Sequence, residues 1–479
     1  GALYGGYSAN GKSTGNTVNG GDIIVDKAQT GSVLTLRTAQ TAGAQTNALF
    51  EALANKLMYR RPSEGLLTGR LELGEGLIAP SATGDIAFNG AGKGIYNPAP
   101  TPKTTPLTAA EATAGTYTLA GNEMRDLTHE NVIKGFGNKW SVLANYDKDG
   151  AGNKTTGLTV DLKGHTLTLG MTSAATDNHY IAAIYAGKET VPNPAHALTI
   201  KDTQVDGKVV ISAKHAKPSR IVDGIYADQR ANINIEAPVE IKSIVAAGPN
   251  AHGVYAGKYA KIKLKDLTIK EVVGSDGSAI GLTAYGIGAG DSAEVDVDTV
   301  NISGVSGAAV YGMSSGSPNT KINIGGGKII AKKATAPTNQ YWAVHATTGT
   351  VTLNKGKNRN LVVEGNMQAG DNTHAGNIDA SFTTDASSWK GAIHKVGASN
   401  TNLTLSNGAT WTHEVQSGKL VDAAGFTASH LTKFTGGDSP AHAGVVRQGG
   451  KNILIDNYSG NTRFIFEHDA ATPTTIKGG

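Results

Sequence analysis

Gly253-Val254-Tyr255-Ala256-Gly257-Lys258-Tyr259-Ala260-Lys261-Ile262-Lys263-Leu264-Lys265-Asp266-Leu267-Thr268-Ile269 reads as one turn of a repeat. A short apolar strand ends at a glycine, a polar turn follows, and then come two strands in which apolar residues stand two apart. That period puts one side of each strand inward and leaves the other wet. The opening phrase recurs at Ala183-Ile184-Tyr185-Ala186-Gly187, Gly224-Ile225-Tyr226-Ala227, Gly286-Ile287-Gly288-Ala289-Gly290, Ala309-Val310-Tyr311-Gly312 and Ala343-Val344-His345-Ala346. Alternating strands follow each copy, as in Ile233-Asn234-Ile235, Val295-Asp296-Val297 and Ile322-Asn323-Ile324. A third short strand closes the unit, as in Val239-Glu240-Ile241 and Val300-Asn301-Ile302.

The unit length varies over roughly 23 to 41 residues, the range of a solenoid with loops inserted at its corners. Three strands per coil predict an all-β fold, a right-handed parallel β-helix. Ile225, Val254, Ile287 and Val310 are expected to stack in one inward column. Ala186, Gly257 and Gly290 are expected at tight corners. The same strand pattern continues outward through Thr159-Val160-Asp161-Leu162, Leu361-Val362-Val363 and Ile453-Leu454-Ile455, so one elongated domain is expected. Its parts are N-terminal coils over 1–120, a central β-helix over 121–400 and C-terminal coils over 401–479. Two stretches interrupt the pattern. From Thr46 to Tyr59, Leu49, Leu53 and Leu57 recur every four residues, which predicts a short helical insert. Between Asn97 and Pro106 four prolines predict an extended, unpaired loop.

Composition agrees with many short strands. The chain of 479 residues has 63 glycines, 6% aromatic and 17% charged residues, favouring neither a disordered chain nor an ordinary enzyme core. It contains no cysteine, which excludes disulfides and thiolate metal sites and leaves stability to continuous apolar burial. A net charge of +4 is small for this length and gives no case for a nucleic-acid partner. Gly1-Ala2-Leu3-Tyr4-Gly5-Gly6 has neither the charged start nor the apolar stretch of a signal peptide. No run of about 18 apolar residues follows, so the chain is expected to be soluble as given.

Candidate chemistry is sparse. Gly6-Tyr7-Ser8-Ala9-Asn10-Gly11-Lys12-Ser13 matches the phosphate-loop pattern, but Thr14 to Gly21 cannot form the helix whose amino end would hold phosphate. Asp147-Lys148-Asp149-Gly150-Ala151-Gly152-Asn153 looks like a calcium loop, yet Ala151 replaces an oxygen ligand and Leu158 the bidentate glutamate. The thirteen histidines lack ligand spacing, so no metal or other cofactor is expected. Enzymes that cleave acidic polysaccharides on this fold need carboxylates converging from neighbouring coils. Aligning the repeats sets Asp223 opposite His252 and then Tyr285, and Asp228 opposite Gly257 and Gly290, so no column repeats an acid. Asp296 and Asp298 read as the wet side of a strand. His345 takes the column position of Tyr185, Tyr226, Tyr255 and Tyr311, a stacking role. Lys261, Lys263 and Lys265 alternate with Ile262 and Leu264 and should project from one outward face. With Lys258, and with Lys242, Lys270 and Arg230 nearby, they form a basic patch suited to sulfated or sialylated glycans, or else a solvated face that discourages lateral aggregation.

The ends carry a family resemblance. Ser429-His430-Leu431-Thr432-Lys433-Phe434-Thr435-Gly436-Gly437 with Ile453-Leu454-Ile455-Asp456-Asn457-Tyr458-Ser459-Gly460-Asn461 resembles the stretch ahead of the translocator barrel in large autotransporters. Asn47 to Leu57, Gly84-Asp85-Ile86-Ala87-Phe88-Asn89 and the opening Leu3-Tyr4-Gly5-Gly6-Tyr7-Ser8 are similar to passengers of that group. The resemblance implies type V secretion, with a signal peptide before and a membrane barrel after this passenger. It also implies display on a Gram-negative cell surface, attached to the outer membrane or released. The trypsin-like domain of the protease passengers is missing, so adhesion, aggregation or biofilm formation is the role implied. Host or bacterial surface glycans or proteins are the implied partners, together with self-association. A polysaccharide hydrolase or lyase on the same β-helix is the alternative.

Overall fold

The computed structural model describes residues 101–107, 111–128, 133–134, 139–147, 157–188, 197–204, 207–218, 220–248, 250–274, 284–312, 319–332, 342–415, 428–449 and 452–466. Before them it describes the strands at 23–27, 33–35, 59–61, 65–67, 71–80 and 85–93. The chain divides into two compact units, Gly1–Thr101 and Pro102–Gly479.

The larger unit is a parallel β-helix with three stacks of strands. The first stack runs from Lys139–Asp147 through Tyr180–Lys188, Val222–Ala227, Ala251–Ala256, Ala284–Ala289, Ala308–Gly312, Trp342–Ala346 and Asn366–Ala369 to Ile393–Lys395. The second and third stacks share one 24-stranded sheet, because the chain turns between them without breaking the ladder. In two coils they are a single strand, Lys261–Ile269 and Glu294–Ile302. The alternation in the first of these slips at Lys265-Asp266, where two successive side chains point away from the core and the strand turns its corner.

Inward columns account for the stability. Ile225 pairs in register with Val254, Val254 with Ile287 and Ile287 with Val310, all fully buried, so the expected column is present. A second column runs Leu169, Ile211, Ile241, Ile269, Ile302, Ile329, Val363 and ends in Trp389 and Trp411, whose rings stack 4.7 Å apart. Each coil alone could bury little. Superposing equivalent residues joins them into one continuous core.

Corners between the first and second stacks repeat a left-handed residue: Arg230, Tyr259 and Ser292 have φ of 68°, 60° and 53°. Between the second and third stacks Gly327 has φ of 111°, and a Cβ there would lie 2.0 Å from the Val300 carbonyl oxygen, so only glycine fits.

The structure differs from three expectations. Ala186 is not a corner residue. It lies inside strand Tyr180–Lys188, where its small side chain joins Ala227, Ala256 and Ala289 in an inward column. The proline-rich stretch is partly paired. Thr101–Pro102 joins strand Glu123–Thr128, and the Lys103 N–H donates to the Met124 carbonyl at 2.8 Å. Proline's fixed φ suits an extended edge strand, where its missing N–H is not needed. In Gly1–Thr101, finally, the strands are not stacked as coils. Ile23–Lys27 pairs parallel with Leu71–Pro80, but Leu71–Pro80 with Asp85–Lys93, Asp85–Lys93 with Val33–Thr35, and Tyr59–Arg61 with Gly65–Leu67 are antiparallel. Connections as short as those after Arg61 and Pro80 favour antiparallel pairing. Residues 46–58 of the expected helical insert and the whole glycine-rich opening Gly6 to Ser13 lie outside the described residues. No α-helix occurs among the described residues.

Candidate functional site

The outward face of the second stack is a polar ladder. One in-register column runs Thr159, Thr199, Asn234, Lys263, Asp296, Asn323, Thr352, Asp379, Asn402, Lys433 and Asn457. Side-chain amides link successive rungs: Asn323 Nδ2 donates to Asp296 Oδ1 at 2.7 Å, and Asn402 Nδ2 to Asp379 Oδ1 at 2.6 Å. These bonds lock side chains that would otherwise be free on an exposed sheet.

Lys261, Lys263 and Lys265 are exposed on this face while Ile262 and Leu264 are buried, as the alternation requires. Register then sets their neighbours. The preceding coil offers Asn232 and Asn234, and the following coil Glu294 and Asp296. Lys261 Nζ lies 3.0 Å from Glu294 Oε2. Lys258 stands at the corner beside Tyr259, its Nζ 5.6 Å from the ring centroid, with the Arg230 guanidinium 5.3 Å from the same centroid. Tyr259 is 45% exposed and was not singled out by sequence reading. Aligning the corners Asp228-Gln229-Arg230-Ala231 and Gly257-Lys258-Tyr259-Ala260 would have brought it beside Arg230. Lys242 is exposed on the third stack, and Lys270 is tied to Glu240.

The outer face of the first stack is different, being buried and aromatic. Tyr185, Tyr226 and Tyr255 stack with centroids 5.6 Å apart, and Tyr311 lies 5.3 Å from His345. The Tyr185, Tyr226 and Tyr255 rings face one another along the solenoid, a structural use of aromatic surface. Burial pushes the Tyr255 and Tyr285 hydroxyls above their usual range and the His345 imidazole down to about 4. In the adjacent column His252 Nδ1 is 2.7 Å from Asp223 Oδ1 and its ring stacks on Tyr285 at 4.3 Å, while Nε2 is buried without a partner.

Several other carboxylates serve the backbone or an ion pair. Asp161 accepts from the Lys163 and Thr203 N–H groups and the Thr203 hydroxyl. Burial raises its carboxyl, but these bonds outweigh burial and hold it below the usual range. Asp202, one coil on, accepts from Gly164, Gln204 and Gly207 N–H. Arg125, fully buried, joins Glu123 and Glu111, and the Tyr117 hydroxyl donates to Glu123. Ser173, Asp177 and His179 bond in an order that sets the carboxylate between hydroxyl and imidazole, whereas a nucleophilic triad sets the imidazole between hydroxyl and carboxylate. Among the described residues no group of three or more His, Asp or Glu is placed to hold a metal ion.

Compared with protein-family models, curated proteins and solved structures, the chain matches none.

Proposed function

We propose that this chain is a non-enzymatic adhesin, the cell-surface passenger of an autotransporter, which binds glycans or proteins of a host or neighbouring cell. The observation that carries the reading is the outward ladder from Thr159 to Asn457, a polar face repeated at the coil spacing of about 4.8 Å. The amides of Asn323 and Asn402 are held by Asp296 and Asp379 of the preceding coils, and a repeated polar face on a rigid sheet suits many weak contacts to an extended surface. The family resemblance of the two ends supports secretion and surface display.

A polysaccharide hydrolase or lyase is the second reading, favoured by Asp223 beside His252, an orienting acid next to an imidazole with a free nitrogen. Against it, both side chains are buried and the His252 ring lies against Tyr285. An array of glycans and matrix proteins probed with the purified chain tests the two together. Saturable binding without release of oligosaccharide supports adhesion, and new reducing ends that vanish in His252→Gln support the enzyme.

A further inference from the structure

We infer that the strip formed by Lys263 and Lys265, with Arg230 and Lys258 gathered around Tyr259, receives a single anionic glycan chain, sulfated or carboxylated, laid along the strand. The inference rests on the adhesive reading and names its ligand class.

Charge separates these cations from their neighbours. Lys261 is neutralised by Glu294 at 3.0 Å, whereas Lys258, Lys263, Lys265 and Arg230 have no carboxylate oxygen within 4.0 Å among the described residues. Lys263 and Lys265 stand two residues apart on one extended strand, so their backbone origins are about 6.6 Å apart. Ahead of them the chain passes Tyr259, whose partly exposed ring offers an apolar edge beside two cations.

Width decides the kind of ligand. Along Lys263 and Lys265 the cationic strip is one strand wide, about 5 Å, and Arg230 of the preceding coil widens it only at the corner. On one side lie the amides of Asn232 and Asn234, able to serve sugar hydroxyls, and on the other Glu294 and Asp296. A duplex nucleic acid or a lipid bilayer presents its negative charge over an area and would press phosphates against those two carboxylates, a repulsion that rejects it. One narrow chain running along the strand meets the lysines and avoids the acids.

The test measures binding of the full chain to heparin fragments, hyaluronan fragments, neutral dextran, duplex DNA and phosphatidylserine vesicles. Heparin or hyaluronan should bind and weaken with salt, while dextran should not bind. Lys263→Gln with Lys265→Gln should weaken glycan binding at least tenfold, and the corresponding Lys→Arg pair should restore it. Lys355→Gln with Lys390→Gln removes two exposed charges elsewhere and should change binding less than twofold. Thermal melting checks that each variant is folded. Equal losses in both Gln pairs, or DNA or vesicles binding as tightly as the glycans, would overturn the inference. Attachment to cells or matrix without any anionic-glycan binding also overturns it, yet leaves the adhesive reading standing. Absence of all attachment removes that reading instead.

Discussion

Lys261 and Glu294 occupy the same rung of two successive coils, their charged ends 3.0 Å apart on the outward face of the second stack. Partners thirty-three residues apart in sequence meet because an intact coil lies between them, and both side chains remain in water. An exposed pair of this kind contributes about 0.2–1 kcal/mol. Lys261→Ala is therefore expected to shift the urea midpoint only slightly. A loss above about 2 kcal/mol would show that the pair holds the coils together.

Core columns should behave in the opposite way. Ile269 is fully buried between Ile241 and Ile302. Ile269→Ala is expected to cost about 2–5 kcal/mol through lost burial and the cavity left behind. Equilibrium denaturation measures it, and a cost under 1 kcal/mol would contradict the stacked register.

Gly327 provides a backbone test. With φ at 111° and the Val300 carbonyl in the space of a Cβ, Gly327→Ala is expected to destabilise by about 1–3 kcal/mol or more. Hydrogen exchange should locate the loss in the coils on either side of this corner.

Acid should weaken the fold through two buried imidazoles. Burial pushes His345 and His413 down to about 4, while an unfolded chain leaves each near the ordinary value of 6.5. Both are neutral when folded, so the unfolded state binds more protons between these values. Stability from this source is complete above about pH 6.5 and falls as pH drops toward 4, by up to about 3 kcal/mol for each residue. His345→Gln, which places an amide beside Gln368, is expected to flatten the pH dependence of the urea midpoint between pH 4 and 6.5. An unchanged slope would show that His345 titrates normally in the folded chain.

Much of this arrangement could be read from the sequence. The inward column of Ile225, Val254, Ile287 and Val310 was legible because period-two strands and a recurring phrase fix both side and register. The aromatic column ending in His345 followed from the same alignment. The outward lysines were legible from alternation alone. Glu294 and Asp296 beside them followed from the same alignment, since Gly257 opposite Gly290 carries Lys261 to Glu294 and Lys263 to Asp296, but the basic patch was read from its own strand alone. Tyr259 was within reach of the same alignment, which sets it opposite Arg230, but it was passed over because its exposure depends on a left-handed corner that no side-chain pattern marks. Ala186 was misplaced because small residues suit both a tight corner and a crowded core. At Thr101–Pro102 proline argued against pairing, but only where its own N–H would be needed.

Attachment under flow decides whether the chain acts as an adhesin. Beads coated with the purified chain should adhere to mammalian or bacterial cells at flow rates that remove uncoated beads, and excess soluble chain should compete them off. Coated beads that wash away like uncoated ones, on every cell type and matrix component tried, would contradict a role in adhesion.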